Sequence, residues 1–103
     1  MKEFDVFVPL YRNDGLPIDS VLFQQLQANL LKNFDGLTYF PQPNKGFWKM
    51  GDVLFEDEIV IYRVLGKNAR KSRRLLSTLK RWMKTAFEQE EILIIERTIH
   101  TVD

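Results

Sequence analysis

The sequence predicts an α+β fold, and three observations carry that prediction. Four stretches have the alternating or β-branched apolar content of strands, and two have apolar residues at helical spacing. Turn residues separate the six, and strand-like and helix-like stretches are interleaved rather than grouped by type.

Residues 3–11, EFDVFVPLY, come first. Phe4, Val6, Val8 and Leu10 point one way and Asp5, Phe7, Pro9 and Tyr11 the other, the period of a strand. RNDGLPID follows as a turn-rich loop. Pro17 suits a first helical turn, and Asp19 and Ser20 suit a helix start that needs side-chain acceptors. Residues 19–34 set Leu22, Phe23, Leu26, Leu30 and Phe34 on one helical face, and Gly36 is expected to stop that helix.

Residues 37–49 read as a long, interrupted strand and 53–65 as its partner. The turn between them is MGDV at 50–53, with Gly51 free to take a positive φ. Within the partner, EIVIYRVLG (58–66) is apolar on both faces, as a central strand should be. Residues 68–89 form the clearest helix. Leu75, Leu76, Leu79, Trp82, Met83, Ala86 and Phe87 share one side, and the basic residues fall on the other. Residues 91–102, EILIIERTIHTV, are a strand again.

The order β-α-β-β-α-β is that of the ferredoxin-like split βαβ motif. With right-handed crossovers, two helices cover one face of a four-stranded antiparallel sheet. The first and third strands are then central, and the second and fourth are edges. Pro41 and Pro43 fit an edge, where a missing N–H costs no ladder bond and discourages pairing with other chains.

At 103 residues the chain is expected to be one domain, 1–103. With 45% hydrophobic residues and a net charge of +1 it has the composition of a folded protein rather than a disordered one. There is no cysteine, which removes disulfides, thiolate metal sites and cysteine nucleophiles. No apolar run reaches the length of a membrane span, and MKEFDVFVPLY lacks the pattern of a signal peptide, so a cytoplasmic location is expected.

The stretch Gly36-Leu37-Thr38, then Gly46 and Trp48, then Glu56 before the IVI strand, resembles a bacterial family of small proteins with a G-L-T, G-x-W, E pattern across a similar hairpin. The resemblance spans residues 36–62. It implies a ferredoxin-like fold and brings no activity with it. Members of that family are often exported, a point on which this sequence departs.

No catalytic constellation stands out. His100 is the only histidine, and Ser72 and Ser77 lie on the basic helix. No phosphate loop, metal-ligand spacing or calcium loop is present, and neither cofactor nor metal is expected. The acidic clusters EDE (56–58) and EQEE (88–91) are expected as solvated turns that offset the basic helix.

Arg70, Lys71, Arg73 and Arg74 crowd the start of the second helix, where the helix dipole disfavours cations. They are candidate ligands for an anion or an acidic protein surface, the competing expectation being that Asp57, Glu58 or another acid pairs with them. The sequence argues against nucleic acid. KGFWKMGD (45–52) starts like the aromatic motif of an RNA-recognition strand and then departs at Trp48, Lys49, Met50 and Asp52.

The open sheet face completes the candidates. Phe7, Tyr11, Trp48 and Tyr62 could line it or a cavity upon it, with Tyr62 facing out only if Val60 and Val64 do so too. Such a face is too apolar for a soluble monomer, so a homodimer packed sheet on sheet is expected. The alternative cover is residues 41–55 folding over as a lid through Phe47, Trp48 and Phe55. The function these features favour is a dimeric, non-enzymatic interaction or small-ligand module. The alternatives are a dimeric α+β-barrel enzyme using His100, Arg12 or Tyr62, and an RNA-binding domain.

Overall fold

A computed structural model describes residues 1–103. Its elements are β1 (Lys2–Pro9), α1 (Ser20–Asn33), β2 (Gly36–Met50), β3 (Val53–Gly66), α2 (Ala69–Ala86) and β4 (Ile94–Thr98). The sheet order is β2-β3-β1-β4, with every neighbouring pair antiparallel. This is the predicted ferredoxin-like arrangement, with β1 and β3 central.

The core lies between the sheet and the two helices. Phe4, Val6 and Val8 of β1 and Val60, Tyr62 and Val64 of β3 meet Leu26 and Leu30 of α1 and Leu76, Leu79 and Met83 of α2. Directly paired residues share a face, and Val6 pairs with Tyr62. Register therefore puts Tyr62 on the helix side, 1% exposed, and corrects its assignment to the open face. Its ring stacks on Tyr39 of β2 with centroids 4.5 Å apart. Burial, and then Tyr39 beside it, raises the Tyr62 pKa well above the ordinary phenol value.

The element ends follow local chemistry. Asp19 caps α1 by accepting from the Val21 N–H at 3.0 Å, and Asn68 caps α2 by accepting from the Lys71 N–H at 2.9 Å. Pro17 does not enter the first helical turn; it bridges to Tyr11 instead. Phe34, in extended conformation, ends α1, and Gly36 already belongs to β2. At the far end, α2 stops at Ala86, three residues short of expectation, because Glu88 takes a φ of 50° and turns the chain. The last strand is also shorter than predicted: Ile92 enters the helix-side core, and strand pairing starts only at Ile94.

The central strands differ in length. β3 has 14 residues and β1 only eight, and β1 runs out at the Pro9–Ile59 pair. Residues 53–57 of β3 therefore pair with β2 alone, the Glu58 carbonyl still accepting from the Leu10 N–H at 2.9 Å, and the hairpin projects past the sheet as a two-stranded arm. Gly51, at φ 62°, is the first residue of its two-residue turn, where a positive φ matches the twist of the strands.

Candidate functional site

The open face of the sheet has two ends with different chemistry. At one end a carboxylate is held by two guanidinium groups. Arg63 of β3 donates to both Asp5 oxygens, Nε at 2.8 Å and Nη2 at 3.0 Å, and Arg97 of β4 donates to Asp5 Oδ2 at 2.8 Å. Glu3 joins them at 3.3 Å from Arg97. The Asp5 side chain is 3% exposed although it lies on the uncovered face, because its neighbours from β3 and β4 close over it. The Arg63 hydrogen bond outweighs burial and, aided by Arg97, lowers the Asp5 pKa. Arg63 also lies over the Phe40 ring, 5.1 Å from its centroid. The expected continuous apolar face is thus corrected: its Glu3–Asp5 end is an ion cluster.

The other end is aromatic and continues into the arm. Phe7 of β1 meets Trp48 of β2 edge to face, with centroids 6.3 Å apart. Trp48 lies across Gly46, where an added Cβ would sit 3.1 Å from the indole. Pairing of Trp48 with Phe55 and of Met50 with Val53 sets these four on the same face of the arm. The opposite face carries Phe47, paired with Glu56, and Leu54, paired with Lys49. Phe47, Met50, Val53, Leu54 and Phe55 are each between 43% and 60% exposed. Residues 41–50 are strand rather than a lid loop. Of the three expected lid residues, Trp48 alone reaches back to Phe7; Phe47 points the opposite way, and Phe55 stays exposed on the arm beside Trp48.

A bulge separates arm and sheet. Phe40 pairs with Ile61 and Asn44 with Ile59, so residues 41–43 stand opposite Val60 alone. Pro41 and Pro43 occupy this segment, where neither is asked for a ladder hydrogen bond.

The four basic candidates on α2 do not converge. Arg73 forms a two-bonded pair with Glu96 of β4, both bonds at 2.6 Å. Arg73, with Lys2 nearby, pulls the Glu96 pKa down to about 2. Lys71 lines a recess at the start of α2 with Lys67 and Asp35, and Arg74 lines a groove between α1 and α2. Arg70 is exposed. The acid that answers the helix is therefore Glu96, joined by Glu91 at 2.9 Å from Lys80, whereas Glu56 pairs with Lys45 on the arm.

The remaining candidates lie apart. Tyr11 lies beyond the end of β1, is 43% exposed and bridges to Pro17. Arg12 is engaged by Asp14 at 2.8 Å and Glu88 at 2.9 Å, and His100 is exposed beyond the end of β4. No group of three or more His, Cys, Asp or Glu side chains is gathered to hold a metal ion. No helix is long and apolar enough to cross a membrane.

Solved structures share this architecture across the whole chain. A point variant of CutA1 from Pyrococcus horikoshii superposes with a TM-score of 0.62 at 17% identity, covering 100% of this chain and 87% of its own. In fold, the chain is similar to CutA1. The divalent cation tolerance protein CutA1 of Thermus thermophilus gives a TM-score of 0.67 at 13% identity, with 100% and 88% covered. At these identities the likeness to CutA1 is one of fold. No family model and no curated protein matches the sequence, so the G-L-T, G-x-W, E resemblance gains no support beyond the fold it implied.

Proposed function

We propose that the protein is a non-enzymatic interaction module that works as a homo-oligomer, the two-fold dimer being its smallest form. Its contact surface is the β2–β3 arm together with the aromatic end of the open sheet face. One observation carries this reading: the arm exposes large apolar side chains on both faces, on one of them among Lys45, Lys49, Glu56 and Glu58. Phe47 and Leu54 are exposed on one face, and Met50, Val53 and Phe55 on the other. A hairpin two strands wide is marginal in water without a third strand or a packed face. Trp48 against Phe7 supports the arm at its base, and nothing within the chain covers the outer part. A second copy supplies that cover, and the ion cluster around Asp5 gives the contact a polar end that fixes its register.

Light scattering behind a sizing column tests the reading. The parent chain is expected to run as a dimer or larger, and a monomer at micromolar concentration overturns it. Leu54→Lys combined with Phe55→Lys is expected to weaken association about a hundredfold or more. Two apolar side chains are lost from the contact, each worth about 1.5–3 kcal/mol when fully buried. Both residues are exposed in the single chain, so the fold itself should survive.

A further inference from the structure

The helix layer, on the side away from the open sheet face, carries a second surface. α1 and α2 together hold eight Lys and Arg and no acid, whereas the rest of the chain has seven bases against fourteen acids. Two of the eight are neutralised, Arg73 by Glu96 and Lys80 by Glu91. Lys32, Arg70, Lys71, Arg74, Arg81 and Lys84 form no ion pair within the chain.

A groove of about 420 Å³ runs between the helices in this layer. Leu75, Leu79 and Trp82 give it an apolar lining, and Gln25 and Asn29 on α1 face Arg74 and Thr78 on α2 across it. From Arg74 to Trp82 the helix rises about 12 Å, the length of two helical turns of a bound segment. Arg81 stands seven residues from Arg74 and so on the same side of α2; it donates to Thr78 Oγ1 at 3.3 Å. Trp82 is braced from behind by Phe87, centroids 5.7 Å apart, which holds the indole in place.

We propose that the α1–α2 groove docks an acidic amphipathic segment of a partner protein. Apolar side chains of the segment lie on Leu75, Leu79 and Trp82, its carboxylates meet Arg74 and Arg81, and the Gln25 and Asn29 amides serve its polar backbone or side chains. Charge complementarity selects this occupant. The cations are unanswered within the chain; Arg74 and Arg81 stand on the α2 side of the groove, and the α1 side offers the Gln25 and Asn29 carboxamides, with Lys32 about one turn further along. A nucleic-acid strand, charged at every phosphate, would set its backbone against leucine and amide along half of the groove. An amphipathic acidic segment matches both halves.

The test is fluorescence anisotropy with a labelled peptide in which leucine and glutamate recur at helical spacing. A matched peptide with glutamine for every glutamate and an oligothymidylate serve as controls. The parent protein is expected to bind the acidic peptide at least tenfold more tightly than either control. Arg74→Glu with Arg81→Glu should weaken that binding tenfold or more, Arg74→Gln should do so to a smaller extent, and Lys67→Glu, outside both the groove and the arm, should leave it unchanged. Absence of binding, equal or tighter binding of the oligothymidylate, or indifference to the Arg74 substitutions overturns the proposal. Circular dichroism on each variant confirms that the fold is retained. The groove lies outside the arm contact, so loss of peptide binding with an intact oligomer counts against this site alone.

Discussion

Phe87→Ala is expected to cost about 3–5 kcal/mol of folding stability, the range for removing a buried aromatic ring. The ring is fully buried, directly after the last turn of α2, where the Phe87 backbone N–H donates to the Met83 carbonyl. It meets Phe23 of α1 at 5.4 Å and Trp82 of α2 at 5.7 Å, both edge to face. Truncation therefore opens a cavity at the junction of both helices and loses two favourable ring contacts. For a chain of this size each kcal/mol moves the melting temperature by about 4–8 °C, so a fall of about 12–40 °C should appear in thermal denaturation followed by circular dichroism. Phe87→Leu should recover more than half of the loss. A drop of less than about 1 kcal/mol for the alanine variant would show that the helices hold together without this junction.

The second large effect is expected at Asp5. Asp5→Ala should destabilise by about 1–3 kcal/mol at neutral pH, less than the 3–5 kcal/mol typical of breaking a fully buried pair. Arg63 and Arg97, left behind, are 36% and 43% exposed and regain water. The pH dependence has a definite sign. Arg63, with Arg97, lowers the folded-state pKa of Asp5 despite burial, so the unfolded chain takes up its proton first as pH falls. The Asp5 contribution is therefore present above the unfolded value of about 3.9 and is lost as pH falls through the lower folded value. Urea unfolding of the parent and of Asp5→Asn, compared at neutral pH and in acid, should show two stabilities that differ at neutrality and converge in acid. A difference that stays constant or widens in acid would mean that the carboxylate charge is not what the two arginines hold.

The architecture was legible because its signals are local. Alternation in EFDVFVPLY, the leucine spacing of α1 and the segregated charge of α2 each report one element, and the order of elements restricts the topology. The side of the sheet taken by Tyr62 was not legible. β3 is apolar on both faces, so periodicity allows either orientation, and the Val6–Tyr62 pairing that decides it joins residues 56 positions apart. The ion cluster escaped for the same reason. Asp5, Arg63 and Arg97 come from three strands, and only their register brings them together. The arm could have been inferred from length: two consecutive strands of 13 residues each were expected beside a first strand of nine, which leaves the hairpin tip without a neighbour. Dispersal of the basic cluster follows from neighbours distant in sequence: Arg73 is taken by Glu96 of β4, Lys71 borders a recess with Asp35, and Arg74 lines the α1–α2 groove with Gln25 and Asn29.

The sheet order has a consequence for synthesis on the ribosome. β1 is the first strand to emerge, yet both its partners come later: Lys2 pairs with Gly66 on one side and with Thr98 on the other. Until β3 has been translated, β1 has no partner in the sheet, and its apolar face of Phe4, Val6 and Val8 has only α1 to lie against. The β2–β3 hairpin can form from contiguous chain as soon as it leaves the tunnel. Closure of β4 onto β1 must wait for residues 94–98, so the sheet stays incomplete while the intervening residues are made. Chaperone capture is accordingly expected to be strongest on ribosome-bound chains that end between α1 and the completion of β3.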